Sequence, residues 1–251
     1  MEKNLIKLKA EGIRKSFFVK GEGNRQVLED ISFQVRENEF LVILGPGLCG
    51  KTVLLNILAG LLPMDSGQII TQGQGQEGKI SMVFQKTGLF PWKTVMENVE
   101  LGPKLRGDDL RERRKKAQHY IDLVGLTGFE NSYPGQLSGG MKQRAGIARA
   151  YTNDPDILVM DEPFGQLDAQ TRYQMQSEIL RIWEQEKRTI LFVTNNIEEA
   201  CTLGDRIILL SQCPAKVKDV FELKMPHPRD TVGEEFLRVR KRISDEMDLF
   251  L

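Results

Sequence analysis

The residues best suited to chemistry lie in the segment Gly45-Pro46-Gly47-Leu48-Cys49-Gly50-Lys51-Thr52, called here the phosphate loop. Its spacing, G-x-x-x-x-G-K-[ST], is typical of loops whose backbone N–H groups surround a polyphosphate. The three glycines tolerate unusual dihedral angles and close approach of a ligand. Lys51 is expected to reach the β- and γ-phosphates, and the Thr52 hydroxyl is expected to bind Mg²⁺. The segment therefore predicts a site for a nucleoside triphosphate with its magnesium ion.

Two adjacent carboxylates, Asp161 and Glu162, follow the predicted buried strand at 156–160. Such a pair at the end of a buried strand is costly unless a cation lies nearby. Asp161 is expected to hold Mg²⁺ through water, and Glu162 to orient and deprotonate an attacking water molecule. An ordinary acidic turn is the alternative. Gln85 follows another apolar run, and its side-chain oxygen is expected to reach the same metal, because ligands collect at the carboxyl ends of parallel strands.

A second anion site is predicted where Ser138, Gly139 and Gly140 begin a helix that continues to Ala150. Ser138 is a favourable N-cap residue, and the two glycines leave the first N–H groups uncovered. One chain therefore carries two potential half-sites for phosphate.

Buried strands and one helical region are predicted to position these residues. Apolar residues at 40–44 predict a parallel strand before the phosphate loop, and 53–58 predicts a helix after it. Further strands are predicted at 31–35, 68–70, 79–84, 156–160, 189–193 and 206–210, of which the last is the final clear strand of the core.

Helical spacing dominates two other regions. Between 86 and 151 the apolar residues that recur at helical intervals are Leu110, Ala117, Ile121, Val124 and Leu126. An amphipathic helix near the end of the chain is predicted from Phe236, Val239, Ile243, Met247 and Phe250. The pattern predicts one domain with a β-rich core at 1–85 and 152–211, a helical subdomain at 86–151 and an extension at 212–251.

Composition argues against several functions. Among 251 residues, 35 basic side chains balance 35 acidic ones, so no overall charge attracts nucleic acid or anionic lipid. No segment approaches the roughly 18 apolar residues of a membrane span, and any contact with a membrane is expected to pass through a partner. Cysteines 49, 201 and 213 lack metal-ligand spacing and fit a reducing compartment.

Two apolar segments leave alternatives open. The neighbouring rings Phe17 and Phe18 allow one to face the core while the other faces out, and core packing is the favoured interpretation. An exposed ring near a nucleotide would be able to stack on a base. The loop at 88–92 is a partner-binding surface if it is exposed and a joint between lobes if it is buried.

Taken together, the motifs resemble the ATP-binding cassette (ABC) ATPase family over essentially the whole chain. The most specific segment is Leu137-Ser138-Gly139-Gly140-Met141-Lys142-Gln143-Arg144, which is similar to the family signature. By the same resemblance, Gln85 matches the Q-loop, Asp161 and Glu162 the Walker B pair, and Asp168 the D-loop. Phe17 falls where the family places the aromatic residue that stacks on adenine. Leu89-Phe90-Pro91-Trp92 and Pro226-His227-Pro228-Arg229 are most similar to importers of the nitrate/sulfonate/taurine type.

The resemblance implies an α/β fold: a phosphate-loop NTPase (RecA-like) core with an N-terminal antiparallel β subdomain and an inserted helical subdomain. It also implies ATP and Mg²⁺ as cofactors. The implied partners are transmembrane permease subunits, a second cassette and an extracytoplasmic solute-binding protein, with no nucleic acid. Ser138, Gly139 and Gly140 of one cassette would cap the γ-phosphate held by Lys51 of the other, on the cytoplasmic face of the membrane.

Three departures from the family pattern bear on activity. Gly47-Leu48 stands where the family usually has Ser-Gly, and Val53 lacks a hydroxyl that the family usually has. Asn195 replaces a histidine that contacts the γ-phosphate and the residue matching Glu162. The sequence therefore predicts an importer ATPase with weakened hydrolysis; the alternative is a nucleotide-gated binding or regulatory cassette with little activity.

Overall fold

A computed structural model of the chain describes residues 5–21, 23–73 and 78–248. It divides into two compact units, one formed by 1–78 with 188–251 and the other by 79–187. The strands are β1 (Ile6–Val19), β2 (Gly23–Arg36), β3 (Phe40–Leu44), β4 (Ser66–Thr71), β5 (Ile80–Val83), β6 (Ile157–Asp161), β7 (Thr189–Thr194), β8 (Arg206–Leu210) and β9 (Val217–Glu222). The helices are α1 (Lys51–Leu58), α2 (Val95–Val99), α3 (Leu101–Arg106), α4 (Leu110–Leu123), α5 (Gly139–Tyr151), α6 (Ala169–Glu186), α7 (Ile197–Leu203) and α8 (Glu234–Asp248).

The core of the first unit is a sheet in which β7, β3, β8 and β9 are neighbours in that order. Every residue of β3 and β7 is buried, as expected for parallel strands covered on both faces. The strands predicted at 40–44, 189–193 and 206–210 are confirmed. The expectation that 206–210 is the last strand is wrong, because β9 pairs with β8 in antiparallel register. Strand β9 lies at the edge of the sheet, and Phe221 is its one buried residue. Its sequence therefore lacks the regular alternation of polar and apolar residues that predicts a strand.

The first unit also contains an antiparallel sheet with the order β2-β1-β4. In β2, Ile31, Phe33 and Val35 are buried while Ser32 and Gln34 are exposed, which confirms the predicted alternation. The strand predicted at 68–70 is confirmed as part of β4.

The preference for core packing of the two neighbouring aromatic rings is wrong. Phe17 is 37% exposed and Phe18 is 78% exposed. Both residues pair only with β2, whereas the pairing of β1 with β4 ends at Arg14. Among the described residues, the sheet beyond that point consists of the two-stranded hairpin, and both rings are exposed there.

The second unit combines the parallel pair β5–β6 with the helices α2 to α6. Ala117, Ile121, Val124 and Leu126 are buried as predicted, but Leu110 is 48% exposed because it begins α4. Helix α5 contacts α2, α4 and β5, and the apolar side chains of α6 form one buried face. The unit therefore has a packed interior against which α5 is held.

The C-terminal helix α8 contacts α7. Phe236 and Ile243 are buried as predicted, while Phe250 lies outside the described residues. Among the described residues, no helix is long and apolar enough to cross a membrane.

Candidate nucleotide site

The phosphate loop connects β3 to α1, and Lys51 is the first residue of that helix. Its Nζ atom donates hydrogen bonds to the carbonyl oxygens of Gly45 at 3.0 Å and Pro46 at 2.8 Å. The side chain is only 4% exposed. The loop thus surrounds the Lys51 ammonium. This positive charge lies at the N-terminus of α1, where the helix dipole also favours binding of an anion.

Gly50 shows why glycine is needed in this loop. Its φ of +112° lies in the left-handed region, and a Cβ atom placed on it would lie 2.8 Å from Val27 Cγ1. Strand β2 therefore packs directly against the loop. By contrast, a Cβ atom on Gly47 would meet no atom of the described residues within 4 Å, which leaves space for a ligand at the tip of the loop.

Four other residues in or next to the loop differ in exposure. Leu48 has a φ of +64° and is 99% exposed. Cys49 is buried, and this burial raises the pKa of its thiol, so the side chain is a neutral, small apolar group. At the start of α1, Thr52 is exposed and Val53 is half-buried.

The first unit brings Asn195 and Phe17 towards this loop. Leu44 and Thr194, the last residues of β3 and β7, are paired in the parallel ladder. The phosphate loop and the exposed Asn195 therefore follow neighbouring strand ends at the same edge of the sheet. Phe17 pairs with Arg25 of β2. Arg25 is two residues before Val27, which lies beside the loop, and two residues of extended strand span about 7 Å.

The second unit brings the acidic pair together with the glutamine. Asp161 is the last residue of β6 and is 5% exposed, and Glu162 follows with a φ of +40°. The Gly165 N–H donates to the Glu162 carbonyl at 3.1 Å, and a Cβ atom on Gly165 would lie 3.6 Å from Gln85 Nε2. The amide of Gln85 therefore faces the turn that carries the carboxylates.

The predicted N-cap of helix α5 is confirmed. Ser138 Oγ accepts a hydrogen bond from the Met141 N–H at 3.3 Å. A Cβ atom on Gly140 would lie 2.9 Å from Thr171 Cγ2. Asp168 caps α6 by accepting hydrogen bonds from the Thr171 N–H and Oγ1 at 3.0 and 2.7 Å, and these bonds lower its pKa. The N-terminus of α5 thus packs against that of α6.

Arg149, near the end of α5, is a residue that sequence reasoning missed. Its guanidinium donates to the carbonyl oxygens of Gly88 at 2.8 Å and Thr87 at 2.7 Å, and burial lowers its pKa. An arginine at helical spacing usually indicates a solvated face, so the sequence carried no signal for this contact. Helix α5 is therefore hydrogen-bonded to the segment that follows Gln85.

The apolar loop at 88–92 contains a largely exposed ring. Trp92 is 69% exposed, and its ring centroid lies 5.4 Å from that of Phe90. Of the two alternatives that the sequence leaves open for this loop, the exposure of Trp92 favours a partner-binding surface.

The oxygen donors fit magnesium better than a soft metal. The Thr52 hydroxyl, the Gln85 amide oxygen and the Asp161 carboxylate are hard ligands of the kind that Mg²⁺ takes together with substrate phosphates. In the part of the chain that the structure describes, no group of three or more His, Cys, Asp or Glu side chains is placed to hold a metal by itself.

A glycine-rich loop between a buried parallel strand and a helix, with a lysine at the helix start, defines a phosphate-loop nucleotide-binding protein. Comparison with known proteins narrows this class. The family model described as ABC transporter matches residues 28–165.

Relatives and a solved structure agree with that match. The ABC transporter ATP-binding protein MJ0412 of Methanocaldococcus jannaschii is 46% identical over 95% of this chain and 90% of its own length. The aliphatic sulfonates import ATP-binding protein SsuB of Bacillus cereus is 43% identical over 92% of each chain. A dimeric post-hydrolysis structure of the cassette MJ0796 with ADP and Pi has a TM-score of 0.74 and 30% identity over 86% of this chain and 99% of that one. The chain belongs to the ABC transporter ATPase family and is an ATP-binding protein with ATPase chemistry.

Proposed function

We propose that this chain is the ATP-hydrolysing subunit of an ABC importer, in which Mg-ATP closes a dimer of cassettes and hydrolysis reopens it. The observation that carries this proposal is the presence in one chain of two unlike helix starts that are suited to bind phosphate, at Lys51 and at Ser138. In a two-fold dimer, each ATP would lie between the phosphate loop of one copy and the signature segment of the other. The dimeric cassette among the solved structures supports this arrangement.

Each residue has a separate task in this proposal. The N–H groups of the phosphate loop and the Lys51 ammonium bind the phosphates. To do so, the ammonium gives up its hydrogen bonds to the carbonyl oxygens of Gly45 and Pro46 and binds phosphate oxygens instead. Phe17 offers an exposed ring to adenine. Thr52, Gln85 and Asp161 would hold Mg²⁺, which when bound neutralises phosphate charge. Glu162 orients the attacking water and takes its proton.

The second cassette completes the site in the same scheme. Ser138, Gly139 and Gly140 of the second copy contact the γ-phosphate, and Asp168 lies beside them at the start of α6. Closure excludes water from the charged phosphates, which strengthens each electrostatic contact.

The proposed partners are transmembrane permease subunits that dock near Gln85 and the exposed Trp92, together with an extracytoplasmic solute-binding protein. This places the chain on the cytoplasmic face of the cell membrane. The SsuB relatives are named for import of aliphatic sulfonates. Solute selectivity would belong to the permease and the binding protein, and no nucleic acid takes part.

Steady-state ATPase measurements test the proposal. The purified chain should hydrolyse ATP in the presence of Mg²⁺, its permease should change the rate, and Glu162→Gln should lower kcat by at least about 100-fold while ATP binding persists. Glu178→Gln, an acid-to-amide change in α6 at a residue that forms an ion pair with Arg181 at 2.6 Å, is the matched control. Equal turnover by the Glu162→Gln variant and the parent would refute the assignment of Glu162. Negligible turnover by the parent would favour a regulatory cassette.

We further propose that Asn195 slows hydrolysis relative to a histidine at this position. Complete loss of a preorganised transition-state donor costs about 10²–10³ in rate, but the asparagine amide still supplies one donor and cannot carry charge. Asn195→His should therefore raise kcat by about tenfold and leave the Kd for ATP within about twofold. An unchanged kcat in single-turnover measurements would contradict this role.

A further inference from the structure

We infer that Thr194 and Glu199 are positioning residues that hold the turn from which Asn195 reaches the γ-phosphate. The inference rests on the proposed role of Asn195. It concerns side chains that never touch the nucleotide and act only through the backbone that carries Asn195.

The Thr194 hydroxyl is the centre of a buried hydrogen-bond chain. It donates to Glu199 Oε2 at 2.6 Å and accepts from the Asn196 N–H at 3.0 Å. Thr194 is 2% exposed and Glu199 is 3% exposed. Because a hydroxyl that accepts one bond becomes a better donor for the next, the two bonds reinforce each other.

Asn196 closes the chain into a ring. Its side-chain oxygen caps α7 by accepting from the Glu198 N–H at 2.8 Å and the Glu199 N–H at 3.1 Å. The end of β7, the turn and the first turn of α7 are thus joined through three side chains. This ring fixes the backbone on both sides of residue 195.

Packing around α7 makes this hydrogen-bonded ring rigid, while the side chain of Asn195 is not part of the ring and is exposed. Helix α7 contacts β3, β7 and α8, and Ala200 and Leu203 are buried on that side. Asn195 is exposed between a buried Thr194 and the helix cap. A contact that must form in a transition state depends on placement to within a fraction of an ångström, so the ring would determine how effective any donor at position 195 is.

The test combines Asn195→His with changes in the ring. Thr194→Val removes the hydroxyl while keeping the β-branched shape, and Thr194→Ser keeps the hydroxyl. Thr202→Val on α7 is the matched control, because Thr202 Oγ1 has no hydrogen-bond partner among the described residues. The kcat and KM for ATP are measured for each background with and without Asn195→His, together with the melting temperature.

The structure predicts that the gain from Asn195→His, about tenfold in the parent, persists in Thr194→Ser and Thr202→Val and falls below about threefold in Thr194→Val. The KM for ATP should stay within about twofold throughout. Glu199→Ala should act like Thr194→Val, whereas Glu199→Gln should retain the gain because its amide oxygen still accepts from Thr194. If Glu199→Ala does not fold, Glu199→Gln and Thr194→Val decide the question. A gain of about tenfold in Thr194→Val as well as in the parent would overturn the inference.

Hydrogen exchange of the Asn196 amide separates this inference from the proposed function. Thr194→Val should speed this exchange by about tenfold, and Thr202→Val should leave it unchanged. If Asn195→His gives no gain in any background, the proposed role of Asn195 fails, and faster exchange alone still supports the ring. Unchanged exchange in Thr194→Val would overturn the ring itself.

Discussion

At the scale of single residues, Gly50 shows how one methyl group would disturb the phosphate loop. Its φ of +112° is rarely adopted by other residues, and a Cβ atom would clash with Val27 of β2. Gly47 lies three residues earlier in the same loop and has free space around its Cβ position. The two positions therefore make a matched pair in which only the first combines strain with a steric clash.

We expect Gly50→Ala to lower the free energy of unfolding by about 2–4 kcal/mol, as the sum of backbone strain and overpacking. Gly47→Ala should change it by less than about 1 kcal/mol. Urea unfolding of both variants measures the difference. Similar midpoints for the two would show that β2 yields to a side chain at position 50.

At the scale of elements, the turn before β4 is fastened to β1 by one carboxylate. Asp65 accepts hydrogen bonds from Lys15 Nζ at 2.8 Å and from the Ser16 N–H at 2.6 Å. The bond from Lys15, followed by that from Ser16, lowers the pKa of Asp65 below its ordinary 3.8. Lys15 Nζ also lies 5.5 Å from the centre of the Phe17 ring, so this clamp supports the strand that carries the proposed adenine contact.

The pH dependence of stability follows from the direction of that shift. Because the folded-state pKa of Asp65 is depressed, its contribution is present above the unfolded pKa of about 3.8 and is lost as the pH falls through the folded value. Asp65→Asn should therefore lower the urea midpoint at pH 7, and this difference from the parent should shrink progressively as the pH falls below about 3.8. Asp30→Asn, whose contact with Arg14 is 4.0 Å long and exposed, is the control. A constant difference at all pH values would show that charge at Asp65 is unimportant.

At the scale of the whole molecule, the proposed dimer makes each site depend on two copies. Lys51→Ala should destroy the phosphate loop and leave the signature segment intact, whereas Ser138→Arg should do the reverse. Each variant alone should be inactive. Mixed in equal amounts, half of the dimers combine the two variants and contain one intact site, so about a quarter of the parent activity should return.

The control for this complementation is a mixture of Lys51→Ala with the double variant Lys51→Ala/Ser138→Arg, in which no intact site can form. ATPase activity measured against total protein distinguishes the mixtures. Activity no higher than in this control would mean that the signature segment does not act across a dimer.

Local patterns predicted the parts of the fold whose environment is repetitive. Strands β3, β7 and β8 are buried apolar runs, and the Ser138 N-cap is confirmed. Each depends on side-chain types at short spacing, which a sequence states directly. Strand β9 was missed because an edge strand with one buried residue has no such pattern.

Motif spacing by itself determined the class of this chain, because it contains a phosphate loop, a pair of carboxylates after a strand and a second helix start with a favourable N-cap. Only the tertiary structure showed that Asn195 leaves the sheet beside the phosphate loop, that Phe17 and Phe18 are exposed, and that Thr194, Asn196 and Glu199 form a buried ring. The physical reason is that motifs reflect what neighbouring residues require, whereas burial and hydrogen bonding depend on which strands and helices come to lie side by side.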